Sequence, residues 1–136
     1  MIAALICVVS VAALLQFLAL YCRSILASSR KIKLSERVLD VAGVGRGSVA
    51  AGDFHRFHQL IHLCPETDDD RNELRAMGIY YGLLNVLGRV SNLFMPRVAA
   101  WSERERQGCS YFAAVVLDRR ISHNQGLFAQ QASGLL

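Results

Sequence analysis

The segment that decides the fold is Met1–Cys22, which reads MIAALICVVSVAALLQFLALYC and contains no charged side chain. A helix of this length rises about 33 Å at ~1.5 Å per residue, enough to cross a hydrocarbon core of ~30 Å. All Lys, Arg, Asp and Glu residues follow this segment. The sequence therefore predicts a transmembrane anchor, residues 1–22, that holds a more polar domain at a membrane surface.

The same segment differs from a cleaved secretory signal. Such a signal combines a basic leader, an apolar core of ~7–15 residues and a small residue at the cleavage site. Here the apolar run begins at Met1, and Tyr21 stands where a small residue would be needed. We expect a retained anchor, with Tyr21 and Arg23 at the membrane interface, where aromatic rings and snorkelling cations are stable. A cleaved signal and a helix buried in a soluble core are the alternatives.

The charges that flank the anchor predict its orientation. No Lys or Arg precedes it, whereas five follow closely: Arg23, Arg30, Lys31, Lys33 and Arg37. Because basic residues accumulate on the cytoplasmic side of membrane helices, we expect the N-terminus outside and the C-terminal domain in the cytoplasm. The net charge of +4 is too small, without a recognition motif, to indicate nucleic-acid binding. The lipid bilayer is therefore an expected partner, and nucleic acid is not.

The remaining sequence predicts an all-α fold, in which one N-terminal transmembrane helix precedes a small cytoplasmic bundle of about four helices. Residues 23–47 form a basic juxtamembrane segment and a Gly-rich linker, residues 48–121 the bundle, and residues 122–136 a loose tail. The predicted helices cover residues 35–42, 49–63, 68–95 and 97–121. Ser48 and Thr67 are suitable N-caps, and Pro65 and Pro96 end the helices before them.

Three of the four histidines, His55, His58 and His62, share one face of a predicted helix. His58 and His62 have the spacing of residues that can hold one metal ion, although further ligands would have to come from elsewhere. A single histidine can instead ligate a tetrapyrrole metal, which needs one axial nitrogen and an apolar slot. The plainer interpretation is a solvated or interface surface opposite the apolar stripe of the same helix, and pH sensing is a further alternative.

Two glycines interrupt the uncharged run of residues 76–88. Gly78 and Gly82 have the small-xxx-small spacing that lets another helix approach closely, so we predict a helix–helix contact there. The run has the length of a buried core helix, and a second membrane pass through residues 76–95 is the alternative. In the last helix, the alternating charges of residues 103–106 indicate a solvated face.

No nucleophile with its base and no placed pair of carboxylates is recognisable, so we do not expect an enzyme. The four scattered cysteines lack the spacing of a zinc or disulfide framework. We expect an accessory or structural subunit of a larger membrane complex, with other subunits as partners and no cofactor. One alternative is a membrane-anchored metal- or tetrapyrrole-binding module on the His55, His58 and His62 face, for example in an electron-transfer complex. A second is an adaptor that recruits a soluble partner to residues 103–106.

Overall fold

The computed structural model describes residues 1–32, 49–65 and 68–135, apart from the side chain of Asp69. Within these residues the chain is all-α, as predicted. Its helices are α1 (Ile2–Ser29), α2 (Phe54–Leu63), α3 (Asp68–Phe94) and α4 (Pro96–Gly134), with a 3-10 turn at Ala51–Asp53. The predicted helix of residues 35–42, the Gly-rich linker and the caps at Ser48 and Thr67 lie outside the described residues.

Helix α1 is both a candidate membrane span and a part of the bundle. It is long and apolar enough to span a membrane, and no other described helix is. Its side chains are exposed from Met1 to Phe17, whereas Cys22, Leu26 and Ser29 are buried. The buried residues recur at i, i+4 and i+7, which is one face of a helix. The helix therefore continues through the predicted boundary at Cys22 and ends at Ser29, within the bundle.

Helices α3 and α4 form an antiparallel hairpin. Met95 separates them, and Pro96 occupies the first turn of α4, where its missing N–H is not needed. Tyr80 on α3 donates a hydrogen bond to Glu105 on α4 at 3.0 Å, close to the α3–α4 turn. Farther from the turn, Arg119 on α4 pairs with Asp70 on α3 at 3.0 Å. The hairpin thus forms the long axis of the bundle.

Helix α2 lies in the groove of this hairpin. Its apolar stripe of Phe54, Phe57 and Ile61 is buried, as its spacing predicted. The carbonyl of Ala51, just before α2, accepts hydrogen bonds from the hydroxyls of Tyr81 on α3 at 2.9 Å and Ser110 on α4 at 3.1 Å. These bonds fix where α2 begins against both neighbours, so the position of its histidines is set as well.

The direction of α1 follows from its contacts with α3. The Cys22 thiol lies 3.8 Å from the carbonyl of Ala76, and the later residues Ser29 and Ile32 share a shallow pocket with Glu73. Helix α1 therefore runs antiparallel to α3. Its exposed apolar half and the α3–α4 turn extend away from the core on the same side of the molecule.

Two sequence predictions about α4 were wrong. The helix does not stop near Ile121 but continues to Gly134, so residues 122–134 are helical and largely exposed. Apart from Gly126 and the terminal Gly134, this stretch has no helix breaker, and its Leu, Ala and Gln residues favour helix. Residues 103–106 are not a uniformly solvated face, because Glu105 is buried against Tyr80.

The α3–α4 contact yields a test at two glycines. A methyl group on Gly88 would lie 2.8 Å from the Ser102 hydroxyl oxygen, whereas one on Gly82 would meet no atom within 4 Å. Since alanine favours a helix interior by ~1 kcal/mol over glycine, we expect Gly82→Ala to raise the free energy of unfolding by about 0.5–1 kcal/mol. Gly88→Ala should raise the free energy of unfolding by less, or lower it. The Ser102 hydroxyl, which donates a hydrogen bond to the Ala99 carbonyl, would have to move away and weaken that bond. Denaturation of the detergent-solubilised chain measures both.

The matched control is Ser102→Ala, which removes the obstructing oxygen. A double-mutant cycle should show coupling between residues 88 and 102. An equal gain from Gly82→Ala and Gly88→Ala would contradict the described approach of α3 and α4.

Candidate functional site

The three histidines of α2 do not form one group. The rings of His58 and His62 lie 4.6 Å apart between centroids, and both line a pocket. His55 instead turns the edge of its ring towards Tyr81, at 5.6 Å between centroids. The structure therefore brings two of the predicted site residues together and separates the third from the pocket lining.

The pocket lies where α2, α3 and α4 meet and has a volume of about 210 Å³. Its lining combines two histidines and three arginines with two apolar side chains: His58, His62, Arg71, Arg75, Arg120, Ile61 and Leu74. The arginines were not predicted as site residues, because they come from two other helices. Their separation along the chain leaves no local spacing signal.

Arg120 is the deepest charged group of the pocket. Its side chain is only 3% exposed, and it donates a hydrogen bond to the carbonyl of Ile61 at 3.2 Å. Its Nε lies 3.7 Å from the Asp70 carboxylate, too far for a hydrogen bond, and has no acceptor in the described part of the chain. The other oxygen of Asp70 accepts a hydrogen bond from Arg119. The buried Asp70 carboxylate thus interacts with the guanidinium groups of both Arg119 and Arg120.

The other two arginines stand near the rim of the pocket. Arg71 lies 3.7 Å from Asp68, whose side chain is 97% exposed, so this pair contributes little. Arg75 is exposed and makes no hydrogen bond or ion pair with the described part of the chain. The described charges of the pocket and its immediate partners are therefore predominantly positive.

The pKa of His58 is lowered in the folded chain. Partial burial is the largest cause, and the charges of His62 and His55 lower this pKa further. The described lining thus carries its charge on the arginines, while His58 is held towards the neutral form, in which a ring nitrogen can donate or accept a hydrogen bond.

This lining fits a small anion better than a metal cation. His58 and His62 keep the spacing of a metal pair, but no group of three or more His, Cys, Asp or Glu side chains converges within the described residues. Three guanidinium groups around the pocket would also repel a cation. Its volume lies below the ~300–1,000 Å³ of pockets that enclose drug-sized ligands, which argues against a tetrapyrrole.

The other predicted site residues are on the surface. Gly78 is half-buried and Gly82 exposed, and a methyl group on either would meet no described atom within 4 Å. The helix that we expect there is thus not supplied by the described part of this chain, and contact with another chain stays a prediction. Tyr21 and Arg23 are both exposed, and their position at a membrane interface stays a prediction as well.

Helix α3 presents an exposed apolar face. Near its end, Val90 and Phe94 are 54% and 79% exposed. They belong to an exposed stripe on one side of α3, which comprises Ile79, Leu83, Val86, Leu87, Val90, Leu93 and Phe94. The uncharged run of residues 76–88 was the available signal, because a helix with few charges can be apolar on more than its buried face.

The charged run of α4 is divided between core and surface. Burial and the nearby Glu105 carboxylate raise the pKa of Tyr80, so its hydroxyl stays protonated and donates to that carboxylate. Glu103 and Arg106 pair with each other at 3.1 Å, and the Arg106 guanidinium lies 5.5 Å from the centre of the Tyr81 ring. Much of this run therefore stabilises the bundle, which leaves a smaller surface for a soluble partner than the sequence predicted.

The lowered pKa of His58 predicts a pH dependence of stability. The unfolded chain binds a proton at His58 with an ordinary pKa of ~6.5, whereas the folded chain binds it less readily. The contribution of His58 is therefore present above pH ~6.5 and is lost as the pH falls through the lowered pKa of the folded state. We expect His58→Gln to flatten the decline of the unfolding free energy between pH ~7 and ~5, measured by denaturation at several pH values.

His123→Gln is the control, because His123 is exposed and does not line the pocket. A wild-type slope in His58→Gln would refute the assignment of the pH dependence to His58.

Comparisons with protein families, with curated proteins and with solved structures found no match for this chain.

Proposed function

We propose that this chain is a non-catalytic accessory subunit of a membrane protein complex. In this proposal α1 is the membrane anchor and the α3 stripe receives an apolar helix of another membrane subunit. The observation that carries the proposal is that both apolar surfaces extend from the same side of the bundle. The chain itself covers neither the first half of α1 nor the α3 stripe with described residues.

The size of the stripe supports a docking role. Val86 is 63% and Leu93 79% exposed, and burying a side chain of this type stabilises by ~1.5–3 kcal/mol. From Ile79 to Phe94 the stripe extends about 22 Å along the helix axis. Contiguous apolar surfaces of this kind mark interaction sites rather than ordinary surface.

The residues beside the stripe favour a protein over lipid alone. Arg89, Asn92 and Arg97 are exposed near the α3–α4 turn, and such groups are costly among acyl chains unless they find polar partners. A neighbouring subunit can supply those partners. Gly82, which carries no side chain, stands among the stripe residues and leaves space for the close approach of a second helix.

The charge distribution supports the orientation that we assign to the complex. Arg23, Arg30 and Lys31 are exposed at the bundle end of α1. Because Lys and Arg are enriched in the cytoplasmic segments next to membrane helices, the proposal places the bundle in the cytoplasm and the N-terminus outside. The same cations would contact anionic headgroups at the surface of the bilayer.

Purification in mild detergent tests the proposal. We expect the full chain to sediment with membranes and to co-purify with other membrane proteins, which mass spectrometry identifies. Val86→Lys places a charge in the middle of the stripe and should release the partner while leaving the fold intact, because Val86 is exposed. Gly82→Leu should do the same by blocking close approach.

The control is Asn72→Lys, which adds the same charge to an exposed position of α3 outside the stripe. It should retain the partner, and circular dichroism should show unchanged helix content in all three variants. A wild-type chain that is monomeric and free of other membrane proteins after mild extraction would refute the proposal, as would equal release by Val86→Lys and Asn72→Lys.

A further inference from the structure

The pocket between α2, α3 and α4 is separate from the proposed docking surface, and none of its lining residues belongs to the α3 stripe. Its volume of about 210 Å³ suits a small ligand. The apolar side chains of Ile61 and Leu74 contribute to its wall, and charged or polar groups supply the rest of the lining. A site of this kind binds through a few placed polar groups rather than through apolar area.

The charge of the lining defines the class of ligand. Arg75 makes no hydrogen bond or ion pair with the described part of the chain, and Arg71 lines the same pocket 3.7 Å from the solvated carboxylate of Asp68. Arg120 is almost fully buried, with an Nε that lacks a hydrogen-bond acceptor. Leaving such a donor without an acceptor in a buried place costs free energy, and a bound anion near these groups lowers the cost of their charge.

No described carboxylate is part of the pocket lining. The buried Asp70 accepts a hydrogen bond from Arg119 at 3.0 Å and faces Arg120 at 3.7 Å. It therefore holds Arg120 in place from outside the lining. His58 and His62 add ring nitrogens that can donate hydrogen bonds to an anion.

We propose that this pocket binds a phosphate group, with Arg71, Arg75 and Arg120 as the cationic ligands and His58 and His62 as hydrogen-bond donors. Guanidinium groups recognise phosphate through paired N–H donors in a planar fork, which gives both affinity and geometric selectivity. The phosphate group is either a free ion or part of a lipid headgroup.

The position of the pocket makes a lipid source realistic. Arg71 and Arg75 lie within about 8 Å along α3 of Ala76, the residue that Cys22 contacts where α1 enters the bundle. Headgroups at the cytoplasmic surface would therefore be close to the pocket in the proposed orientation. The experiment has to separate the two sources.

The test uses the full chain in phospholipid nanodiscs. In one arm, inorganic phosphate is titrated into phosphatidylcholine nanodiscs, with sodium chloride at matched ionic strength as the reference. In the other arm, the nanodiscs contain phosphatidic acid, whose headgroup is a phosphate monoester, and no free phosphate. Nuclear magnetic resonance of the His58 and His62 rings, together with the thermal unfolding midpoint, reports binding.

Arg75→Gln and Arg104→Gln form the matched pair of variants. Both residues are exposed arginines without a described hydrogen bond or ion pair, but only Arg75 lines the pocket. We expect Arg75→Gln to weaken the apparent affinity for phosphate by about tenfold or more, as loss of a charge-assisted hydrogen bond does, and Arg104→Gln to leave it unchanged. Neither change removes a described contact of the bundle, so both variants should fold.

The outcomes are distinguishable from one another and from the docking proposal. A response to inorganic phosphate that depends on Arg75 supports a free anion, and a response to phosphatidic acid alone with the same dependence supports a lipid headgroup. Unmoved histidine signals in both arms overturn the proposal. Equal responses of Arg75→Gln and Arg104→Gln also overturn it, because they indicate general charge screening. Partner release by Val86→Lys is measured independently and does not depend on phosphate.

Discussion

The last turns of α1 are packed into the bundle, and the arrangement of the whole molecule depends on this contact. Leu26 lies against Gly108 of α4, where a methyl group would meet its side chain at 3.5 Å, and Cys22 reaches the backbone of α3. A membrane segment that ended at a flexible linker would leave the bundle free to turn. Here the helix that is long and apolar enough to span a membrane continues without a break into the core, so the apolar half of α1 has a defined direction relative to α3 and α4.

The two ends of the bundle expose different kinds of side chain. Towards the α3–α4 turn, one side of α3 exposes the apolar stripe, with Arg89, Asn92 and Arg97 exposed beside it. Towards the start of α3, the surface is rich in arginine, and the buried Asp70 holds two guanidinium groups at the junction with α4. The carboxylate and the arginines stabilise one another, since either charge buried alone would be strongly unfavourable.

Sequence patterns predicted most of the helices, but they did not predict what each helix contacts. The stripe of Phe54, Phe57 and Ile61 and the break at Pro96 were predictable, because apolar spacing and proline act locally. The end of α4 was not predictable, since residues 122–134 have neither a strong apolar period nor a clear stop. The exposed Val90 and Phe94 show the same limit, because a local apolar pattern does not tell whether its own chain or another surface covers a helix face.

The site was predictable only in part for a similar reason. The spacing of His58 and His62 is a local property of α2, and it correctly predicted that their rings would be neighbours. The partners that decide their chemistry, Arg71, Arg75 and Arg120, lie on other helices, and only the packing of α2 in the hairpin groove brings them together. Glu105 is a further example, because a carboxylate in an alternating charge run gives no local sign that Tyr80 will face it.

Helix α4 is long enough that a small rotation near its contact with α1 displaces its far end by several ångströms. The helix has 39 residues, and its last turns continue beyond the core without cover from the described chain. From Gly108, where α1 packs, to Gly134 the axis measures about 39 Å. Membrane helices change their tilt to match the thickness of the bilayer, and a rotation of about 10° transmitted through this contact would displace the far end of α4 by roughly 7 Å. In the proposed orientation, a small change of tilt within the bilayer would thus become a large movement at the far end of α4.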